Sequence, residues 1–296
     1  MVEVKNVLEI YEKKRERVQE FNLTNDLFAG KVFEDVEASR EFCSILMQKP
    51  GLRLKSVRTQ YVIRNLQSHS VQLDFLAEED SGNIISVELQ MYSENEPFRR
   101  TRYYTSCIDM SILEKGREYY ELPDVTVLYI TKSDFIGHKR GSYQIHRKAG
   151  GKSQSIDVGN GVHERYFNLK YSTKDAKIDE LLRYLQDSDP FYQTESFPRI
   201  VERVNFYKIK RKGVEIMCEI TDRIRREGKI EGRIEDIMQL LEELGKIPAK
   251  IAQRITQETD LNVLAGWLKC AAAVSSISEF EARMAGIPSE TGSEPY

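Results

Sequence analysis

The sequence predicts an α/β core followed by an all-helical C-terminal region. One basis is the order of its periodicities: helical at first, then a strand meander, a helix, a continuous β-rich run, and helix again from Phe197 onward. The other is composition. The chain has 296 residues, 40% apolar and 31% charged, which suits one large or two modest globular domains with a real core. We place a core at 1–195, a helical region at 196–285 and a loose tail at 286–296, where the text reads GIPSETGSEPY.

Residues 1–48 read as helical, with Phe28, Val32, Phe33 and Val36, then Phe42, Ile45 and Leu46, near the 3.6 period. Lys49-Pro50-Gly51 ends that segment. Strands are expected at 56–62, 71–77 and 84–91, a helix at 97–115 before Gly116, and a buried central strand at 125–130. A Gly-rich ribbon is expected at 137–152, a strand at 164–169 and a helix at 178–185 before Asp189-Pro190. In the last third, Ile234, Ile237, Leu241 and Leu244 share a helical stripe, with Gly245 as its cap and Ile251 and Ile255 beyond. Leu261, Leu264, Trp267 and Leu268 form a second stripe, which suits packing or dimerisation.

Composition also excludes some functions. Forty-four bases against 47 acids give a net charge of −3, so a strongly basic, tail-driven nucleic-acid binder is excluded, although a local basic face is not. Cysteines at 43, 107, 218 and 270 form no Cys-x-x-Cys pair. Such scattered thiols suit the reduced core of a cytoplasmic protein rather than a disulfide scaffold or a structural zinc site. The charged N-terminus is no signal peptide, and the weakly polar stretch near 268–277 is too short and polar to span a bilayer, so no membrane partner is expected.

The most informative stretch is VQLDFLAEEDSGNIISVELQM, residues 71–91. Turn chemistry is concentrated at Glu79 to Asn83, and a hairpin centred on Ser81 pairs residues whose numbers sum to the same value. Leu73 then faces Leu89, Phe75 faces Val87 and Ala77 faces Ile85, giving one wholly apolar face. On the other face Asp74 stands opposite Glu88. Carboxylates facing each other with Cβ atoms about 4.5–5.5 Å apart destabilise the pair. A shared proton, an arginine or a divalent cation would compensate; alternatively the face is merely solvated. Hard oxygen donors at this spacing suit Mg²⁺ or Mn²⁺.

Asp74 followed by Glu88-Leu89-Gln90 resembles the PD-(D/E)XK nuclease motif in its E-x-Q variant. The blocks SVQLDFLAEEDSGNIISVELQ, RRTRYYTSCIDMSILEKGREYYELPDVTVLYIT, GVHERYFNL and the upstream LTNDLFAGKVFEDVEASREF together resemble the recombination-promoting nuclease and transposase family of PD-(D/E)XK proteins. The resemblance runs from about Leu23 to Asp222. It implies a restriction-endonuclease-like fold, a mixed central sheet flanked by helices. It implies a metal-dependent DNA endonuclease in which Asp74, Glu88 and the Leu89 main-chain carbonyl hold Mg²⁺ or Mn²⁺. Gln90 takes the place usually held by lysine; it orients by hydrogen bonds and brings no charge. That substitution leaves open a second reading, a DNA-binding or interaction protein that keeps the nuclease fold with weak or no catalysis.

Arg99, Arg100 and Arg102 precede Tyr103 and Tyr104. On a helix Arg100 and Tyr104 share a face, which makes Arg100 the candidate phosphate partner of the catalytic set and Tyr104 a candidate DNA contact beside Arg99 and Arg102. Between 139 and 152 lie five bases and no acid, so Lys139, Arg140, Arg147 and Lys148 are further candidate DNA contacts. Lys208, Lys210, Arg211 and Lys212 read as a solvated helix end, and His163 receives no role. A double-strand cut would need two active sites, which is consistent with a homodimer.

Overall fold

The computed structural model describes residues 2–64, 69–92, 96–150 and 155–284, with side chains from Tyr11 onward. The proposed tail at 286–296 lies outside the described residues. The chain divides into two compact units, Met1–Met217 and Cys218–Tyr296.

The first unit opens with α1 (Val2–Gln19), α2 (Asp26–Phe33) and α3 (Val36–Met47). Asn25 and Asp35 start α2 and α3 by accepting the amides of Phe28 and Ala38, and Gln48 ends α3 in the left-handed region at φ 54°. Next come β1 (Leu54–Ile63), β2 (Val71–Glu79), β3 (Ile84–Gln90), α4 (Pro97–Ile112) and β4 (Val125–Thr131). They are followed by β5 (Ser142–Ile145), β6 (Lys148–Gly150), β7 (Ser155–Asp157), β8 (Val162–Asn168), α5 (Ala176–Asp187) and α6 (Pro198–Ile209).

Six strands make one mixed sheet in the order β1-β2-β3-β4-β8-β5. β1, β2 and β3 are an antiparallel meander, β3, β4 and β8 are parallel, and β5 closes the edge antiparallel to β8. Two parallel neighbours need a crossover, and α4 supplies it between β3 and β4. β4 is buried at every position and β3 at all but its last, as expected of strands covered on both faces. α2 and α3 lie against β1 and β2, and α4 lies against β1 and β4. Phe33, Phe42 and Phe75 meet under α2 and α3, with ring centroids 4.8–5.8 Å apart.

The expected ribbon at 137–152 is divided. Residues 142–145 join the main sheet as β5, while β6 and β7 form a separate, exposed hairpin. The unit boundary also falls later than residue 195, because α6 packs on α1, α2 and α3. Glu41 caps the start of α6, accepting the amides of Arg199 at 3.0 Å and Ile200 at 3.1 Å, and Arg199 pairs with Asp35 at 2.5 Å.

The second unit holds most of α7 (Arg211–Leu244), with α8 (Ala249–Thr256), α9 (Leu261–Ala271) and α10 (Ile277–Met284). Ile237, Leu241, Ile251, Ile255, Leu264 and Trp267 share its core, so both apolar stripes pack internally. No described helix is long and apolar enough to cross a membrane.

Lys208 corrects the sequence reading. It is buried, 3% exposed, not part of a solvated helix end. Its Nζ donates to the carbonyls of Gln19 at 3.2 Å and Ser188 at 2.9 Å, with the Phe28 ring 5.7 Å away. It thereby ties the last residue of α1 to the residue that ends α5. Lys208→Met keeps the bulk and leaves both carbonyls unpaired, so it should cost about 1–3 kcal/mol. Urea unfolding checks this: a lower midpoint at unchanged slope is expected, and an unchanged midpoint would contradict it.

Candidate active site

The β2–β3 hairpin turns at Glu79 to Asn83, where the Glu79 amide donates to the Asn83 carbonyl at 2.8 Å and Gly82 takes φ 90°. Above the turn the register is the expected one: Glu78 with Ile84, Ala77 with Ile85, Leu76 with Ser86, Phe75 with Val87. The next rung would be Asp74 with Glu88, and here backbone pairing gives way. Instead of a main-chain partner, the Leu89 amide donates to Asp74 Oδ2 at 2.6 Å.

Across the parallel part of the sheet, Glu88 pairs with Tyr129, Tyr129 with Tyr166, and Tyr166 with Tyr143. Paired positions point to the same face. One row of side chains therefore runs Glu88, Tyr129, Tyr166, Tyr143, with neighbouring strands about 4.8 Å apart. α4 closes over this row: Thr101 Oγ1 meets Tyr166 Oη at 2.8 Å and Glu164 Oε1 at 3.0 Å. Arg100, one residue earlier, donates from Nε to Tyr104 Oη at 2.7 Å, with its guanidinium 5.1 Å from that ring.

The two carboxyls sit in a costly place. Glu88 is 4% exposed, and Ser86 Oγ donates to its Oε1 from 3.5 Å. Burial, then the neighbouring Asp74 charge, push the Glu88 carboxyl well above the usual range, against the opposing pull of Arg100. Burial also pushes Asp74 up to about 6, with the Leu89 amide opposing and Asp26 adding to the rise. Desolvation leads in both acids, and Arg100 opposes it in both.

Leu89 and Gln90 face opposite ways. The Gln90 carbonyl accepts from the Lys132 amide at 3.3 Å, toward β4. Backbone groups alternate sides along a strand, so the Leu89 amide and carbonyl both face β2 and Asp74. The structure thus brings together Asp74, Glu88, Leu89, Arg100 and Tyr104, with Gln90 half-buried at the end of β3. Among the described residues no three His, Cys, Asp or Glu side chains converge in a ready metal cage. A cavity of 310 Å³ lined by Tyr61, Leu76, Ile84 and Ile112 includes neither carboxylate.

The candidate DNA contacts separate. Arg99 and Arg102 are exposed on the first turns of α4, Arg99 within 3.2 Å of Glu96. Lys139 and Arg140 lie on the loop after β4, at the carboxylate end of the sheet. Asp134 organises that loop, accepting the amides of Gly137 at 3.1 Å and Lys139 at 2.7 Å and the Tyr143 hydroxyl at 2.9 Å. Arg147 and Lys148 are not brought there. Ile145 pairs with Glu164, so Arg147 falls level with the start of β8, about 13 Å along the strand from Tyr143. His163 is exposed, 3.2 Å from Asp124.

Three residues near the acids had escaped the sequence reading. Asp26 and Gln60 act on Asp74, and Tyr129 beside Glu88 is 1% exposed. Asp26 lies in the N-terminal block already noted, but nothing local brings α2 to the hairpin.

Residues 52–154 match the family model of the PD-(D/E)XK nuclease family transposase. This segment is a PD-(D/E)XK nuclease-family domain. It spans β1 through β6, including the hairpin and α4, a narrower reach than the resemblance of the sequence blocks. The chain matches no curated protein and no solved structure. The mixed six-stranded sheet flanked by helices agrees with the restriction-endonuclease-like fold of PD-(D/E)XK proteins, and the match supports a nuclease-like or transposase-related function.

The carboxyl pair carries a pH signature. Both pKa values are higher in the fold than in the unfolded chain, so the fold holds extra protons above the ordinary carboxyl range. Stability therefore falls as pH rises, for Asp74 between its unfolded value of 3.8 and about 6. In metal-free buffer, Glu88→Gln should melt several degrees above wild type at pH 8, with the gain shrinking at pH 5. Scanning calorimetry at both pH values checks this; a variant that melts at or below wild type at pH 8 contradicts it.

Proposed function

We propose that the chain is a metal-dependent DNA endonuclease that hydrolyses phosphodiester bonds at the Asp74–Glu88 pair. The observation carrying this reading is the pair itself: the buried Glu88 carboxyl beside the half-buried Asp74 carboxyl at a break in the ladder, inside the nuclease-family segment. The donor set fits a hard divalent cation, which needs only one or two protein carboxylates besides waters and substrate oxygen. Asp74, Glu88 and the Leu89 carbonyl would hold Mg²⁺ or Mn²⁺. Bound there, the cation supplies Lewis acidity toward the phosphate and a bound water of lowered pKa.

The protein's own groups do the rest. The Leu89 amide fixes Asp74 Oδ2 and so orients that carboxylate. Gln90 orients water or phosphate by hydrogen bonds. Arg100, braced on Tyr104, faces the scissile phosphate as a fixed cation and balances charge that grows in the transition state. Arg99, Arg102, Lys139 and Arg140 hold the flanking DNA backbone at this end of the sheet. Arg147 and Lys148 contact DNA only beyond that stretch. Water adds at phosphorus and one P–O ester bond breaks, leaving a phosphate monoester and a free hydroxyl. We infer a role linked to recombination or mobile elements, in the cytoplasm, which the match to a transposase family supports only as far as the transposase relation; a double-strand cut would engage two copies of the chain.

Gln90 favours a second reading, a nuclease-fold protein that binds DNA without cutting it, because the usual lysine charge is absent. Nicking of supercoiled plasmid with Mg²⁺ or Mn²⁺ separates the two. Wild type should nick, and Asp74→Ala, Glu88→Ala and Arg100→Ala should each lose about a hundredfold or more, the scale of one preorganised charge-stabilising group. Undiminished nicking by Asp74→Ala and Glu88→Ala would overturn the site. Retained DNA binding without nicking by wild type would select the second reading.

A further inference from the structure

Gln60 lies in the middle of β1 with φ 49°, in the left-handed region that side-chain-bearing residues occupy at a cost. The β1–β2 ladder pairs Thr59 with Phe75 and Tyr61 with Leu73, so the position opposite Gln60 is Asp74, and the pairing skips that rung. Asp74 thus stands where both of its ladders are interrupted, toward β3 and toward β1.

The Gln60 carboxamide is held from three directions. Its Oε1 accepts from Gln72 Nε2, and its Nε2 donates to the Asp26 carbonyl at 3.4 Å, in the first turn of α2. Gly30 of α2 lies beneath it, where an added Cβ would stand 3.5 Å from Gln60 Cγ and 3.7 Å from Nε2. The same side chain is a hydrogen-bond partner of the Asp74 carboxylate. A strained backbone held this firmly beside an acid points to a role for the acid, not for the strand.

We propose that Gln60 is a positioning residue for Asp74: its left-handed backbone turns the carboxamide between α2 and the hairpin, and Gln72 and the Asp26 carbonyl hold it there, so that Asp74 keeps its oxygens toward Glu88. The proposal rests on the reading of Asp74 and Glu88 as the metal pair. Such partners of ligating groups set ligand orientation and hence metal affinity.

The test is calorimetric titration of the full chain with Mn²⁺, alongside melting curves. Wild type should bind, and Asp74→Asn should not; equal binding by the two would overturn the metal-pair reading and this proposal with it. Gln60→Gly frees the backbone of strain and deletes the carboxamide. It should melt at or above the wild-type temperature while binding Mn²⁺ about tenfold more weakly. Gln72→Ala, a change at an exposed residue, should weaken Mn²⁺ binding by a smaller factor, and the double variant should bind no more weakly than Gln60→Gly alone, since both act through one carboxamide. Binding by Gln60→Gly within twofold of wild type, with Asp74→Asn inactive in binding, would overturn the positioning role and leave the metal pair standing. A marked drop in the melting temperature of Gln60→Gly, or additive losses in the double variant, would also overturn it, since a purely structural role gives those results.

Discussion

Two carboxylates that repel each other inside a folded sheet constrain much of what surrounds them. Asp74 and Glu88 face the same side of the β2–β3 hairpin, one rung past its last regular pair, and Glu88 lies under a helix rather than in water. A sheet can bear this only where the ladder opens and other donors step in. The Leu89 amide takes one oxygen of Asp74, and Arg100 brings a positive charge from α4. The opening that relieves the repulsion also leaves main-chain and carboxylate oxygens side by side, the donor type a hard cation takes.

The parallel part of the sheet gives this end of the molecule its direction. β3, β4 and β8 run the same way, so the acids, the start of α4 and the Asp134-braced loop gather at their carboxyl ends, where open α/β sheets characteristically bind ligands. The opposite end receives the exposed β6–β7 hairpin. A net charge of −3 is compatible with a DNA substrate under this arrangement. Part of the acid excess is the Asp74–Glu88 pair itself, and Arg99, Arg102, Lys139 and Arg140 lie on α4 and on the loop after β4.

The hairpin was legible because its information is local. Period-two alternation on both sides of Ser81 leaves one register that buries Leu73, Phe75, Ala77, Ile85, Val87 and Leu89 together, and the structure has that register. The Arg100–Tyr104 pair followed from helical spacing alone. The burial of Lys208 was hidden because its partners, Gln19 and Ser188, come from distant parts of the chain and are helix ends, which no side-chain pattern announces. Residues 137–152 looked like one basic ribbon because the pairing of β5 depends on β8, which follows some twenty residues later. Asp26 and Gln60 reach the site by the packing of α2 and by one left-handed residue, and neither leaves a periodic trace.

The central claim is that Asp74 and Glu88 form a cation site. Anomalous scattering from crystals grown with Mn²⁺ tests it most directly. A manganese peak should lie between the two carboxylates and within coordination distance of the Leu89 carbonyl oxygen. An anomalous map with no peak at the pair, or with manganese bound only elsewhere on the protein, would contradict the account.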